Sequence, residues 1–132
     1  MRQLWLWMRA SVERSRWLLV AAVAVVLLVV VPWRSYQDHT HWARVQWLPF
    51  TAPPIKASDI IGNVVLYMPL GFAASRRRPP RQATTLSLAF LLSLATEASQ
   101  VYSHGRFPSA GDVVCNVGGA FLGALLRRFP VD

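Results

Sequence analysis

Four apolar runs, separated by polar or charged connections, divide this chain. They cover residues 17–33, 60–75, 84–103 and 112–126. At about 1.5 Å per residue the first run extends over roughly 25 Å, which is sufficient to cross the hydrocarbon core of a bilayer. The runs lack the alternation of transmembrane strands, and lipid requires a backbone whose polar groups are all satisfied internally. The pattern therefore predicts an all-α polytopic membrane protein, a bundle of four transmembrane helices.

The same pattern predicts the organisation of the chain. Residues 1–16 form a cytoplasmic or interfacial amino-terminal segment, and residues 17–33 form the first transmembrane helix. We interpret this helix as a signal anchor and not as a cleaved signal peptide, because the sequence Val-Val-Pro-Trp-Arg that ends it lacks a small-x-small cleavage pattern. Residues 34–58 form an extracytoplasmic loop, and residues 59–129 form a core with helices 2 to 4.

Charge orients the predicted helices. The formal net charge of +8 raises nucleic acid as a partner, but the basic residues flank the apolar runs. One side of the membrane carries Arg2, Arg9, Arg14, Arg16, Arg76, Arg77, Arg78, Arg81, Arg127 and Arg128, and the other carries Arg34, Arg44, Lys56 and Arg106. Positively charged loops stay in the cytoplasm. We therefore expect both termini in the cytoplasm, a multi-pass location in the bacterial cytoplasmic (inner) membrane, and no nucleic-acid partner.

Polar side chains interrupt the last three runs, and this topology places them at similar depth near the extracytoplasmic face. The predicted cluster comprises Asp59, Asn63, Glu97, Gln100, Arg106, Asp112 and Asn116. A charge at the centre of a membrane helix costs about 2.5–3.5 kcal/mol, so such groups face the bundle interior and find partners. Arg106 is expected to pair with one carboxylate. Two interpretations stay open, namely a polar clamp between helices and a pocket for a cationic or hydrogen-bond-donating ligand.

Small residues and a proline indicate how helices 2 and 4 pack. Pro69 removes one backbone hydrogen bond and is followed by Gly71, which predicts a kink. Gly119 and Gly123 form a Gly-x-x-x-Gly face that permits close approach, either inside the bundle or in a homo-oligomer. The sequence after Asp59 resembles the sequence after Asp112, so the two helices either derive from a duplication and descend in parallel or resemble each other by coincidence.

Metal and cofactor chemistry have little support. The single cysteine, Cys115, excludes an internal disulfide and a multi-cysteine zinc site. Asp38, His39 and His41 lie in the predicted loop, but two histidines two residues apart are a weak metal signal, and a solvated loop is the preferred interpretation. We therefore predict no metal site and no cofactor.

Several motifs together resemble the VanZ-like family of membrane proteins. They are Pro49-Phe50, Asn63-Val-Val-Leu-Tyr-Met-Pro69-Leu-Gly71-Phe72, Glu97-Ala-Ser-Gln100, Arg106 and Asp112-Val-Val-Cys-Asn116-Val-Gly-Gly119. The resemblance covers residues 47–128. It implies a four-helix membrane protein whose best-known relative contributes to resistance against the glycopeptide teicoplanin. The family's motif residues correspond to Asn63, Glu97, Gln100, Arg106, Asp112 and Asn116. Many members carry an acidic residue between the Arg and the Asp, but residues 107–111 of this chain contain none.

Three functional hypotheses follow, and the first is preferred. In it, the pocket binds or modulates a cell-envelope component, which is a lipid headgroup, a lipid-linked glycan or a glycopeptide. In the second, the protein is a hydrolase or transferase acting on an envelope lipid or lipid-linked glycan, with Glu97 or Asp112 as general base and Arg106 on a phosphate. The third is a structural helix bundle with a polar clamp. Enzymatic activity has no nucleophile–base pair or metal set to support it, and an ion conduit lacks polar residues through the full depth.

Overall fold

Four α-helices form the framework of the protein. The computed structural model describes residues 2–51, 56–76 and 82–127, with side chains from Glu13 onward. The helices are α1 (Arg2–Val30), α2 (Ala57–Ser75), α3 (Gln82–Gln100) and α4 (Ala110–Leu126), with a short 3-10 helix, η1 (Trp42–Arg44), between α1 and α2. Within the described ranges there are two isolated bridges and no β-strand. The predicted all-helical class is therefore confirmed.

The first helix extends beyond the predicted first span. It begins at Arg2 and ends at Val30, so residues 2–16 continue the same helix and do not form a separate element. The helix ends just before Pro32, because a proline disfavours helical geometry in the residue that precedes it. The Trp33 indole Nε1 donates to the Leu27 carbonyl at 3.0 Å, and the same carbonyl accepts from the Val31 N–H at 3.2 Å.

Helices α2 and α4 run parallel and in very close contact. A Cβ atom added to Gly119 would overlap the backbone of Val64, and one added to Gly123 would overlap the backbone of Met68. On α2, a Cβ atom at Gly71 would overlap the backbone of Ala120. The contacts of Gly119 and Gly123 advance in the same direction along both helices, as parallel packing requires. The Gly-x-x-x-Gly face is thus covered by α2 of the same chain.

The other two helices complete the bundle. Hydrogen bonds join residue 93 to residue 116 and residue 97 to residue 109, so α3 runs antiparallel to α4. A stripe of buried α1 residues at three- and four-residue spacing contacts the rest of the core. The buried apolar cluster consists of Leu19, Ala22, Val26, Val30, Tyr67, Leu70, Ala73, Ala74, Ala89 and Ala120. Pro69 lies inside α2 with its ring exposed, and the helix continues to Ser75.

Apolar length distinguishes one helix from the others. Among the described residues, α2 is long and apolar enough to cross a membrane, and α4 is a shorter apolar helix. Four of the basic residues on which the predicted orientation depends, Arg77, Arg78, Arg81 and Arg128, lie outside the described residues. Apolar length among the described residues thus supports one membrane span, α2.

The loop after α1 is fixed to the connection between α3 and α4 by backbone hydrogen bonds. The Gln37 and His41 amides donate to the carbonyls of Tyr102 and Val101 at 2.8 and 2.9 Å. Further along, the Gln46 amide donates to Pro108, and the Gln46 carbonyl accepts from Ala110, both at 2.9 Å. Residues 35–46 therefore pack along residues 101–110 at the end of the bundle where α2 and α4 begin. We call this end the polar end.

Candidate functional site

Two carboxylates open the parallel helices at the polar end. Asp59 is exposed in the first turn of α2, and Asp112 is half-buried in the first turn of α4. The two side chains are close enough to repel each other electrostatically, and the half-buried Asn63 side chain interacts with the Asp112 carboxylate. Negative charge in the first turn is favourable to each helix dipole. The two like charges are nevertheless unfavourable to each other.

Glu97 connects α3 to the beginning of α4. Its side chain is 4% exposed, its Oε2 atom accepts from the Ser109 backbone N–H at 2.8 Å, and its Oε1 atom accepts from Gln100 Nε2 at 3.4 Å. Ser109 is the N-cap of α4, where its hydroxyl accepts from the Gly111 N–H at 3.1 Å. Because N-terminal helix amides lack partners inside the helix, Glu97 and Ser109 together stabilise the beginning of α4.

Asn116 lies one turn deeper and is completely buried. Its Nδ2 atom donates to the Ser93 hydroxyl on α3 at 2.9 Å. Its Oδ1 atom is buried and accepts no hydrogen bond from the part of the chain that the structure describes. Such buried acceptors without a partner are rare in folded proteins. The amide therefore joins α3 to α4 through its nitrogen alone.

Two buried polar residues that we did not predict extend this region. The Tyr67 hydroxyl lies 3.4 Å from the Thr96 hydroxyl, and both residues are buried. The signal was present in the sequence, since Tyr67 follows Asn63 by four residues and so shares its helix face. Tyr67 lies within the second apolar run, residues 60–75. With Ser93, Glu97, Gln100 and Asn116, these two form what we call the buried polar network.

Arg106 does not form the ion pair that the sequence led us to expect. It is exposed in the α3–α4 connection, and it acts electrostatically on both Glu97 and Asp112. However, the one salt bridge within 4.0 Å in the described residues joins His39 to Asp38. The Glu97 carboxylate accepts from the Ser109 N–H instead, and the Arg106 side chain lies at the surface.

The seven predicted site residues thus separate into two layers. Glu97, Gln100 and Asn116 belong to the buried polar network. The other four make up what we call the outer charged group, which consists of Asp59, Asn63, Asp112 and Arg106. Chemically, the outer charged group offers carboxylate acceptors for an ammonium or hydroxyl group, and one guanidinium for an anion.

Comparison with known protein families gives a match. The family model VanZ/LLP1 matches residues 15–129, which include α1 from residue 15 onward, the whole of α2, α3 and α4, and every residue of the two layers. Neither the curated proteins nor the solved structures contain a significant match. Proteins of the matched family are membrane proteins, in agreement with the apolar length of α2. On a match over most of its length, the chain belongs to the VanZ/LLP1 family.

Proposed function

We propose that this chain is a multi-pass protein of the bacterial cytoplasmic membrane and that α1 to α4 all cross the bilayer. Support comes from the outer surface of the bundle, because every helix exposes large apolar side chains, among them Leu28, Val65, Phe90 and Leu122. Exposed apolar surface of this extent is typical of a protein covered by lipid. Interfacial aromatic residues are also exposed, namely Trp17, Trp33, Trp42 and Trp47.

The proposed orientation puts both termini in the cytoplasm and the polar end outside it. Reporter fusions test this directly. We expect a cytoplasmic reporter to be active when fused after Arg76 or Arg127, and a periplasmic reporter to be active when fused after Gly105. The reason is that the basic residues of the connections stay on the cytoplasmic side. A periplasmic signal after Arg76 or Arg127 contradicts the orientation.

The outer charged group is the proposed binding site, and its ligand is a cell-envelope molecule that carries an ammonium group or several hydroxyl groups. The observation that carries this proposal is the pair of carboxylates, Asp59 and Asp112, at one end of parallel helices, where they repel each other without an ion pair in the described residues. A ligand cation or hydroxyl donor would relieve this repulsion. Arg106 beside them suits a phosphate, as in a zwitterionic lipid headgroup.

The buried polar network has a different proposed role. Glu97 is already engaged by Ser109 and Gln100, and Asn116 by Ser93. These contacts favour a clamp between α3 and α4 over a general base for catalysis, which needs a free carboxylate within reach of substrate. The two interpretations of the polar cluster therefore apply to different layers of it.

Neutralising the two carboxylates tests the binding proposal. We expect the Asp59→Asn/Asp112→Asn variant to accumulate in membranes like the wild type, because Asp59 is exposed and asparagine retains the shape of both side chains. Native mass spectrometry of the purified full chain should show an envelope lipid or lipid-linked glycan retained by the wild type and lost by the variant. Glu13→Gln, which removes an exposed carboxylate on α1, is the matched control and should retain it.

The same variants are compared for teicoplanin and detergent sensitivity in a host that expresses them. We expect any change conferred by the wild type to disappear in the double variant and persist in the control. A wild-type protein that retains no envelope molecule, or a double variant that retains as much as the wild type, contradicts the proposed function.

A further inference from the structure

All three histidines of the chain meet at the polar end. The sequence contains His39 and His41 in the loop after α1, and His104 in the connection between α3 and α4. Their ring centroids lie 4.8, 5.1 and 4.5 Å apart. One nitrogen atom from each ring can be chosen so that all three lie within 4.8 Å of one another. A residue 63 positions further along the chain thus joins the pair that the sequence alone left as a weak signal.

Backbone and side-chain contacts join the two segments that carry the three rings. The amides of Gln37 and His41 donate to the α3–α4 connection on either side of His39. The Tyr36 and Tyr102 rings stack at 5.1 Å, and the Ser35 and Ser103 hydroxyls lie 3.1 Å apart. Because these contacts hold both segments without a ligand, a bound ion would have little ordering cost to overcome.

Two of the rings have the surroundings that metal ligands require. The Nδ1 atom of His39 lies 3.0 Å from Asp38 Oδ1, which leaves Nε2 free. A carboxylate on the second ring nitrogen is the usual arrangement behind a metal-bound histidine, since it fixes the tautomer and raises the basicity of the ligand. The Nε2 atom of His41 is buried and has no hydrogen-bond partner among the described residues. Metal coordination would satisfy that nitrogen.

We propose that His39, His41 and His104 bind Zn²⁺ through three imidazole nitrogens, with water in the fourth position. Imidazole prefers borderline transition metals such as Zn²⁺ and Cu²⁺, whereas Ca²⁺ and Mg²⁺ prefer oxygen ligands. With zinc–nitrogen distances of about 2.0–2.1 Å, tetrahedral ligands lie roughly 3.4 Å apart. The ligand nitrogen atoms lie at most 4.8 Å apart, so binding requires each pair of nitrogen atoms to approach by about 1.4 Å or less. The exposed side chains of His39 and His104 can do so by rotation.

The positive charge of Arg44 is unfavourable to a bound Zn²⁺ ion, and removing it tests whether the ion binds at the three histidines. Arg44 is close enough to act electrostatically on His41, and its guanidinium lies over the Phe107 ring at 5.2 Å. Because Arg44 is no ligand, removing its charge by Arg44→Gln should tighten Zn²⁺ binding roughly threefold. A site elsewhere, for example at Asp59 and Asp112, would not respond to this substitution.

Calorimetric titration of the full chain with ZnCl₂ tests the proposal, in detergent and purified without a polyhistidine tag. We expect one Zn²⁺ per chain and no binding of Ca²⁺. His104→Ala should weaken the affinity at least tenfold. Asp38→Asn should do the same, because it removes the carboxylate beside His39 Nδ1. Both residues are exposed, and equal thermal stability of the metal-free variants and wild type confirms that they fold. Asp59→Asn should leave the affinity unchanged, which separates this site from the outer charged group.

Co²⁺ substitution gives an independent readout, because tetrahedral Co²⁺ absorbs strongly in the visible range and octahedral Co²⁺ does not. We expect this absorption in the wild type and not in His104→Ala. No Zn²⁺ binding by the wild type, affinity for Cu²⁺ alone, or equal affinity in the wild type and His104→Ala would each overturn the assignment.

Discussion

Gly119→Ala is expected to destabilise the protein by about 3 kcal/mol, the upper end of the usual cost of overpacking. The added methyl group would overlap the backbone of Val64, and a backbone segment in a helix cannot rotate away as a side chain can. Helices α2 and α4 must therefore separate along their whole contact. Gly123→Ala, which meets the backbone of Met68, should behave in the same way. Thermal unfolding in detergent and the amount of monodisperse protein in membranes measure the effect.

Gly118 provides the matched control on the same helix. A Cβ atom there meets nothing within 4 Å, so the chemical change is identical and the steric cost is absent. Alanine favours a helix over glycine by up to about 1 kcal/mol. Gly118→Ala should therefore be neutral or stabilising, whereas Gly119→Ala at the neighbouring position should be destabilising. Equal effects of Gly118→Ala and Gly119→Ala would show that the α2–α4 contact is not as close as described.

Glu97→Ala is the second substitution with a large expected effect, a loss of about 3 kcal/mol. It leaves the half-buried Ser109 N–H without its acceptor, which costs less than the upper end of the about 1–3 kcal/mol for a fully buried donor. It also opens a cavity in the buried polar network, because Glu97 itself is buried. The result should be a frayed start of α4 and lower abundance in the membrane. Amide hydrogen exchange at residues 109–113, measured beside thermal stability, locates the damage.

The conservative variant separates the shape of this side chain from its charge. Glu97→Gln keeps an acceptor oxygen for the Ser109 N–H, so we expect stability near that of the wild type. Ser109→Ala keeps the N–H but removes the hydroxyl that caps Gly111, at an expected cost of about 1 kcal/mol. If Glu97→Gln is as damaging as Glu97→Ala, the negative charge itself is needed, and the carboxylate has a role beyond the clamp.

The sequence predicted the helical class because hydropathy and the absence of strand alternation act locally, residue by residue. The polar cluster was inferred from the cost of ionisable groups in apolar segments, which applies wherever the helices pack, and its role as a site stays a prediction. The sequence was less successful with partners. Arg106 was expected to pair with a carboxylate, but its side chain is exposed, and the Glu97 carboxylate accepts from the Ser109 N–H instead.

The contacts between helices were harder to predict from the sequence than the helices themselves. Gly119 and Gly123 were consistent with packing in the bundle or between chains, and the relative rotation of α2 and α4 decides for the bundle. Tyr67 falls inside the apolar run of residues 60–75 because its ring dominates its hydropathy, although its hydroxyl lies near the Thr96 hydroxyl on another helix.

By itself, then, the sequence determined that this is a helical protein of a membrane-protein family with polar groups gathered towards one end of its helices. Only the tertiary structure decided that those groups form two layers, an outer charged group and a buried polar network, and that His104 joins His39 and His41. The physical reason is distance along the chain. Helix formation and burial preference are set by neighbours a few residues apart, whereas each of these contacts joins side chains that only the packing of several helices brings together.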